Sequence, residues 1–434
     1  MPLFYHSTFI NIDFLYSYIL INIVLLYICN MKIIKRDIIP VLKKHVFSSE
    51  ITILSGSRQT GKTTVVKELQ KELQSEGYHT FYLTLERTDM RKLLDEKPGN
   101  LFSIIPVSPE QKSYVFIDEI QYLENPTNFL KLLYDEYADE IKLIVTGSSA
   151  FYIDRKFRDS LAGRKRIFHL TPFSLRETIR YKGEPGLLEY TGNGLKQPKS
   201  IPLIYLDTLQ SITGEYLLYG GYPRVVTTDD YQEKQLILNE LVNSFLKKDA
   251  FESNVRKEAD FMFFTEVLAD RIGNKINRNE LSTICGISDE TVRNYLYILE
   301  KSFHISFVRP FWKSKTGELR KMPKVYFQDN GFRNALLNTF SPVALRKDKG
   351  DLLENMVYNL LKKHYPKKQI LYWITRDQKE VDFIVNRQFA LEVKYNATHI
   401  KPGKYKLFQQ AYPEIPLQFT CLENAENHIP AWGI

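Results

Sequence analysis

The stretch ITILSGSRQTGKTT, Ile51 to Thr64, decides the fold of this chain. A short apolar run of β-type residues leads into Gly56-Ser57-Arg58-Gln59-Thr60-Gly61-Lys62-Thr63-Thr64, and the helix former VVKELQKEL follows without a gap. This is the G-x-x-x-x-G-K-[ST] spacing, in the strand–loop–helix setting that phosphate chemistry requires. Gly56 and Gly61 carry no Cβ, so the backbone can wrap closely around phosphate oxygens. The loop amides then point inward, and the helix beginning near Lys62 adds the positive end of its dipole. Lys62 is expected to reach the β- and γ-phosphates, and Thr63 to offer its hydroxyl to Mg²⁺. The pattern implies a nucleoside triphosphate with Mg²⁺ as ligand.

Four further β-type runs alternate with helical segments, which argues for a parallel sheet: Thr80–Leu85, Tyr114–Glu119, Lys142–Thr146 and Arg166–Leu170. Ligands of such sheets sit outside the carboxyl ends of the strands. The run YVFIDE delivers Asp118, expected to hold Mg²⁺ mostly through water, and Glu119, expected to orient and deprotonate the attacking water. Thr146 or Ser148 would sense the γ-phosphate by hydrogen bonding. Arg164, in Gly163-Arg164-Lys165-Arg166, is a candidate arginine finger acting in cis or from a neighbouring subunit. A surface salt bridge or a DNA phosphate contact is its plainer reading. Hydrolysis needs the acid, the metal and an aligned water, so ATP hydrolysis is expected. A degenerate switch that binds without turnover is the rival.

The 434 residues suggest two to four domains, and 44% hydrophobic with 25% charged content is ordinary for a soluble globular protein. A formal charge of +8 permits contact with nucleic acid without requiring it. Cys29, Cys285 and Cys421 are scattered and include no C-x-x-C, which argues against a disulfide framework or zinc site and for a reducing, cytoplasmic setting. Residues 1–30 are apolar and aromatic but lack the basic start of a signal peptide. The clean run Phe14–Ile28 is shorter than the roughly 20 residues a membrane span prefers, so a membrane location is not expected. Translation starting at Met31 is the simpler expectation.

Farther along, Lys182–Pro202 is rich in Gly, Pro and Lys and reads as a long surface loop. Gly220-Gly221-Tyr222-Pro223 reads as a turn whose glycines serve backbone geometry. Asn279–Glu300 has a helix-turn-helix pattern: Leu281 and Ile284 point inward, Gly286 turns the chain and Ser288 caps a second helix. Val292, Leu296 and Leu299 then share its buried face. Asp289, Glu290, Arg293, Asn294 and Tyr297 fall on the exposed face, and two acids at its leading end are unhelpful near phosphates. DNA readout and a protein-packing role both stay open. FHISFVRPF, just after, could supply the wing.

In the last third, Glu354 lies on an amphipathic helix, Asp382 on the strand KEVDFIV, and Glu392 with Lys394 on FALEVKY. This is the E…D-(x)₉-E-x-K spacing of a PD-(D/E)xK nuclease core. Strand alternation puts Glu392 and Lys394 on one face. The carboxylates would hold a second Mg²⁺ or Mn²⁺, and Lys394 would activate water. Charged residues alternating on half-exposed strands, or an inert module of the same fold, are the bland alternatives.

Taken in order, GSRQTGKTT, FIDEIQYL, VTGSSA, LAGR, TPFSLRE, YGGYP, the helix-turn-helix and ENMVY…EVDF…LEVK resemble a family of uncharacterised prokaryotic AAA-type P-loop ATPases. These carry a C-terminal PD-(D/E)xK-like domain of unknown function. The resemblance covers Met31 to the C-terminus and supports Met31 as the start. It implies an α/β protein with a P-loop NTPase parallel sheet over 31–180 and a helical lid-like region over 181–245. A winged helix-turn-helix would follow over 246–315, and the nuclease-like module over 316–434. ATP is the expected ligand, and DNA and a homo-oligomer are the partners to test.

Overall fold

The computed structural model describes residues 34–106, 111–147, 161–183, 185–192, 201–312, 315–423 and 429–434. The elements below all belong to the compact unit Arg36–Ile434; the expected start at Met31 and the apolar stretch before it lie outside the described residues. The first layer runs α1 (Ile39–His45), β1 (Ile51–Ser55), α2 (Lys62–Ser75), β2 (His79–Thr84), α3 (Thr88–Glu96), β3 (Ser113–Asp118), α4 (Pro126–Tyr137), β4 (Ile141–Gly147) and β5 (Lys165–His169). Five parallel strands pair in the order β2-β3-β4-β1-β5, as the alternating pattern implied. The strands β1, β3 and β4 are buried along their whole length, which is why they read as continuous apolar runs. One face packs Leu54, Val65, Val66, Leu69 and Leu73 from β1 and α2, and the other packs Phe129, Leu130 and Leu133 from α4.

After β5 come α5 (Leu175–Lys182), α6 (Leu203–Tyr219), α7 (Tyr231–Glu252), α8 (Glu258–Asp270), α9 (Arg278–Cys285) and α10 (Asp289–Lys301). Ser174 and Glu177 form a reciprocal capping box at the start of α5, and Ser288 caps α10 through the Thr291 amide. Gly286 takes φ 65° between α9 and α10, the left-handed turn expected there. Leu281, Val292, Leu296 and Leu299 are buried, but Ile284 is 43% exposed. The helix α9 ends one residue later, so Ile284 lies past the stretch that its neighbours cover. Asp289 and Tyr297 are half-buried rather than open.

The remainder comprises β6 (Ile305–Pro310), β7 (Lys324–Phe327), α11 (Asn330–Leu336), α12 (Lys349–His364), β8 (Ile370–Ile374), β9 (Glu380–Val385), β10 (Phe389–Val393), α13 (Lys406–Ala411), β11 (Leu417–Cys421) and β12 (Ile429–Pro430). They build a seven-stranded mixed sheet ordered β12-β11-β10-β9-β8-β6-β7. The strands β8, β9 and β10 form an antiparallel meander, β11 runs parallel to β10, and α12 packs across them through Leu352, Met356 and Val357. The ribbon expected as a wing, β6 with β7, is antiparallel, and β6 also pairs in parallel with β8. The same core takes in Leu175 and Ile179 from α5 and Leu209 from α6, so the end of the first layer shares its packing with the last.

The Gly220-Gly221 turn is a hub. Gly220 takes φ 70°, and a Cβ on Gly221 would lie 2.1 Å from the Phe173 carbonyl oxygen. Buried Asp329 caps α11 through the Phe332 amide (2.9 Å) and also accepts the Gly221 amide (2.7 Å). Burial pushes its carboxyl up to about 6, against the pull of those amide donors.

Candidate functional site

The loop leaving β1 closes tightly before α2. Gly56 is required by contact, since a Cβ there would meet the Leu170 carbonyl oxygen at 2.1 Å. Gly61 takes φ 91° and Gln59 takes φ 56°. Thr60 donates from its hydroxyl to the Ser57 carbonyl at 2.8 Å. Behind the loop, Arg36 donates to the Thr60 carbonyl (2.7 Å), to the Thr171 carbonyl (2.7 Å) and to Glu177 (2.9 Å). In front of it, Arg58 pairs with Glu252 at the end of α7 (2.5 Å). Lys62 turns back and donates to the Gly56 carbonyl at 3.1 Å and the Ser57 carbonyl at 3.0 Å. Burial pushes its ammonium down to about 8, while Glu119 and Asp118 pull upward and Arg58 downward. Thr64 and Gln59 are exposed.

Across from the loop, β3 delivers Asp118 and Glu119 at its carboxyl end. Asp118 accepts from Thr63 Oγ1 at 2.7 Å, from the Tyr82 hydroxyl at 2.8 Å and from Thr146. The Glu119 amide donates to Thr146 Oγ1 at 2.9 Å. Because β4 lies between β1 and β3, Thr146 sits between the loop and the acids. Glu119 itself takes φ 59°, a left-handed conformation that a side-chain-bearing residue adopts at a cost, and its carboxylate accepts from Gln121. Thr63 and Asp118, oxygen donors in contact beside a phosphate-sized loop, fit Mg²⁺. Ser148 lies outside the described residues.

Arg164 is placed elsewhere. Its carbonyl accepts the amide of Ile51, the first residue of β1, whereas the loop leaves from the last. Four residue steps of strand separate those ends, about 13 Å. Its guanidinium turns to Asp135 at 2.6 Å. The structure therefore places Arg164 at the far end of β1 from the loop, in the surface ion pair that was its plainer reading. Sequence reading missed Arg36, Tyr82 and Glu252. Tyr82 alone carried a signal, the carboxyl half of a strand beside β3; Glu252 lies 194 residues from its partner.

The C-terminal acids do converge. Glu354 Oε1 accepts from the Tyr326 hydroxyl at 2.6 Å and Lys324 at 2.9 Å. Asp382 Oδ2 accepts the Val393 amide at 2.8 Å, and Glu392 accepts the Asp382 amide at 3.3 Å. Glu392 also accepts from the Tyr405 hydroxyl at 2.6 Å and from Lys394. A second cation among these acids is Lys324 of β7, buried, paired with Glu354 and Glu380 and 3.9 Å from Asp382. Burial works against its ammonium, but Glu354, Asp382 and Glu380 outweigh that and hold its pKa well above the ordinary lysine range. Burial, with Glu354 and Glu392 beside it, drives the Asp382 carboxyl well upward.

Among the described residues no group of three or more His, Cys, Asp or Glu is arranged to hold a metal ion. The expected second Mg²⁺ or Mn²⁺ fits poorly: the oxygens converge, but Lys324, Lys394, two tyrosine hydroxyls and two backbone amides already occupy most of them. Also among the described residues, no helix is long and apolar enough to cross a membrane.

Residues 48–179 match the AAA domain model, residues 211–343 a domain of unknown function (DUF8612), and residues 349–428 another (DUF4143). An uncharacterized protein of Methanocaldococcus jannaschii is 24% identical over 404 residues, covering 90% of this chain and 84% of that one. One from Haemophilus influenzae is 26% identical over 381 residues, covering 82% and 88%. Among solved structures, the replication initiator DnaA bound to AMPPCP and single-stranded DNA aligns at 14% identity and a TM-score of 0.28, over 61% of this chain and 86% of that one. A score that low carries no argument. The chain thus carries an AAA-type ATPase domain followed by two domains of unknown function, and resembles uncharacterised prokaryotic proteins along most of its length.

Proposed function

We propose that this protein is a Mg²⁺-dependent ATP hydrolase in which nucleotide state controls the helical and C-terminal modules. The observation that carries the reading is the closed set around the loop: Lys62 on two loop carbonyls, Thr63 against Asp118, and Thr146 joining Asp118 to the Glu119 amide. Phosphates entering the loop would draw Lys62 off the Gly56 and Ser57 carbonyls, an exchange of one set of oxygens for a charged one. Mg²⁺, when bound, would neutralise charge on the transferring phosphoryl group. Glu119 would take the proton of the attacking water. The Arg58–Glu252 pair ties the loop to α7, and α7 packs in one core with α8, α9 and α10, so the loop has a direct route to the helix-turn-helix.

A second reading concerns the end of the chain. The α12-β8-β9-β10-α13-β11 order, with Glu354, Asp382, Glu392 and Lys394 near one another, supports reading it as a nuclease-like α/β module. Lys324 among those acids favours an inert descendant of such a module over an ATP-gated nuclease. The helices α8–α10 with the β6–β7 ribbon suit a winged helix. Its leading acids, with Arg293 bound to Asp289 at 2.8 Å, favour a packing role over base readout, and DNA stays as the partner to test.

The deciding experiment is ATP turnover by the wild type, Lys62→Ala and Glu119→Gln, each with and without DNA. Turnover abolished in both variants supports hydrolysis at this site. Turnover indifferent to Glu119→Gln would leave a binding-only switch. Cleavage of DNA with Mg²⁺ or Mn²⁺, lost in Asp382→Ala, would overturn the inert reading.

A further inference from the structure

A cavity of about 540 Å³ lies between the end of β5 with the loop into α5 on one side and the C-terminal end of α12 on the other. None of the acids Glu354, Glu380, Asp382 and Glu392 lines it, and Arg36, which also holds the nucleotide loop, does. The arginines and lysines that line it are Arg36, Arg176, Lys362, Lys363 and Lys367, joined by His169 and His364. The acids on its wall are Asp37 and Glu177, and both are already engaged. Glu177 takes Arg36 at 2.9 Å and two backbone amides, and Asp37 takes Arg180 at 2.7 Å.

The cations are less well matched. Lys367 pairs with Glu300, and His364 turns to the backbone of Ile434. Lys362 and Arg176 have only neutral hydrogen-bond partners among the described residues, and Lys363 hydrogen-bonds a hydroxyl while Glu177 and Asp37 act on it through space. Lys362 meets Gln328 and Asn359, Lys363 donates to the Thr171 hydroxyl at 2.6 Å, and Arg176 donates to the Leu188 and Thr191 carbonyls. Lysines crowded into one concavity whose two carboxylates are already paired with arginines repel each other. Burial pushes Lys362 down to about 7, with Lys367 and Lys363 adding to the shift, and burial lowers Lys363 and His364 as well. An anion placed among them would remove that penalty. Phe173, Tyr216 and Tyr365 supply an apolar wall beside the charge. The volume is that of a small-molecule site.

We propose that this cavity binds a small phosphorylated molecule with an aromatic or apolar portion, independently of the nucleotide in the loop. Phosphate oxygens would take the hydrogen bonds of Lys362, Lys363 and Arg176, and the tyrosine and phenylalanine rings would cover the remainder of the ligand.

The test uses the full chain carrying Lys62→Ala, which disables the nucleotide loop, titrated calorimetrically with inorganic pyrophosphate in EDTA. One saturable binding event is expected in that background. Adding Lys362→Met and Lys363→Ala should weaken it by at least about tenfold, the loss of one or two charge-assisted hydrogen bonds. The same two substitutions in a chain with Lys62 intact should leave ATP binding at the loop unchanged, which shows that the variant folds. An aromatic phosphate such as phenyl phosphate should bind more tightly than inorganic phosphate if the ring wall takes part. Three results would overturn the proposal: no pyrophosphate binding without Lys62, an affinity indifferent to Lys362 and Lys363, or a single-stranded oligonucleotide binding through those lysines where pyrophosphate does not.

Discussion

The nucleotide loop and the C-terminal acid cluster are built from the same ingredients, carboxylates and a lysine at the ends of buried strands, yet they hold their lysines in opposite ways. Lys62 rests on two neutral carbonyls and faces an open loop. Lys324 sits inside the carboxylates and neutralises them. A lysine on carbonyls can be drawn off by an incoming phosphate, because the exchange gains charge-assisted hydrogen bonds. A buried lysine among carboxylates cannot leave without stranding charge. The lesson is that motif spacing identifies the residues at a site, while the partner of the cation decides whether the site is open.

The largest expected effect tests the open half. Glu119→Gln should lower ATP turnover by about 100-fold or more, with ATP binding retained, as loss of a general base does. Steady-state turnover alongside equilibrium binding separates the two. The closed half is next. Lys324→Met should cost about 3 kcal/mol or more of stability, read from denaturant midpoints, and adding Glu354→Gln should restore part of it. Asp382→Asn should leave Mn²⁺ stoichiometry unchanged; loss of a bound Mn²⁺ in that variant would break the contrast. A smaller effect is set by pH. Lys62, pushed down to about 8, is charged below that value and neutral above it. ATP affinity should therefore fall as pH rises through about 8, by up to about tenfold per unit, and a Lys62→Met chain should show a weak, flat profile. Least of all, Arg164→Ala should leave the single-turnover rate of the isolated chain unchanged. A drop that depends on protein concentration would place this arginine at a neighbour's site.

The sheet and its loop were legible because a strand buried on both faces shows as an unbroken apolar run, and because only glycine fits beside the Leu170 carbonyl at position 56. That Glu392 and Lys394 share a face was readable from strand alternation, and the motif spacing pointed to Asp382 and Glu354 as their neighbours. Lys324 was not, since it arrives from β7 across a sheet whose order no local pattern encodes. Arg36 and Glu252 were hidden for the same reason, being contacts of long sequence separation. Arg164 misled because a basic run beside a strand does not reveal which end of the strand it occupies. Ile284 misled because helical periodicity takes no account of where a short helix stops.

The strand β6 has a consequence for how this protein can be handled. It belongs by sequence to the domain matched over 211–343, but it hydrogen-bonds β8, which belongs to the domain matched over 349–428. The unit that is inherited and the unit that folds are therefore not the same. A chain cut between them would present β6 as a bare edge with free amides and carbonyls, a template for association with its own copies. Cassettes exchanged at that boundary would split the sheet, two strands going with one and five with the other.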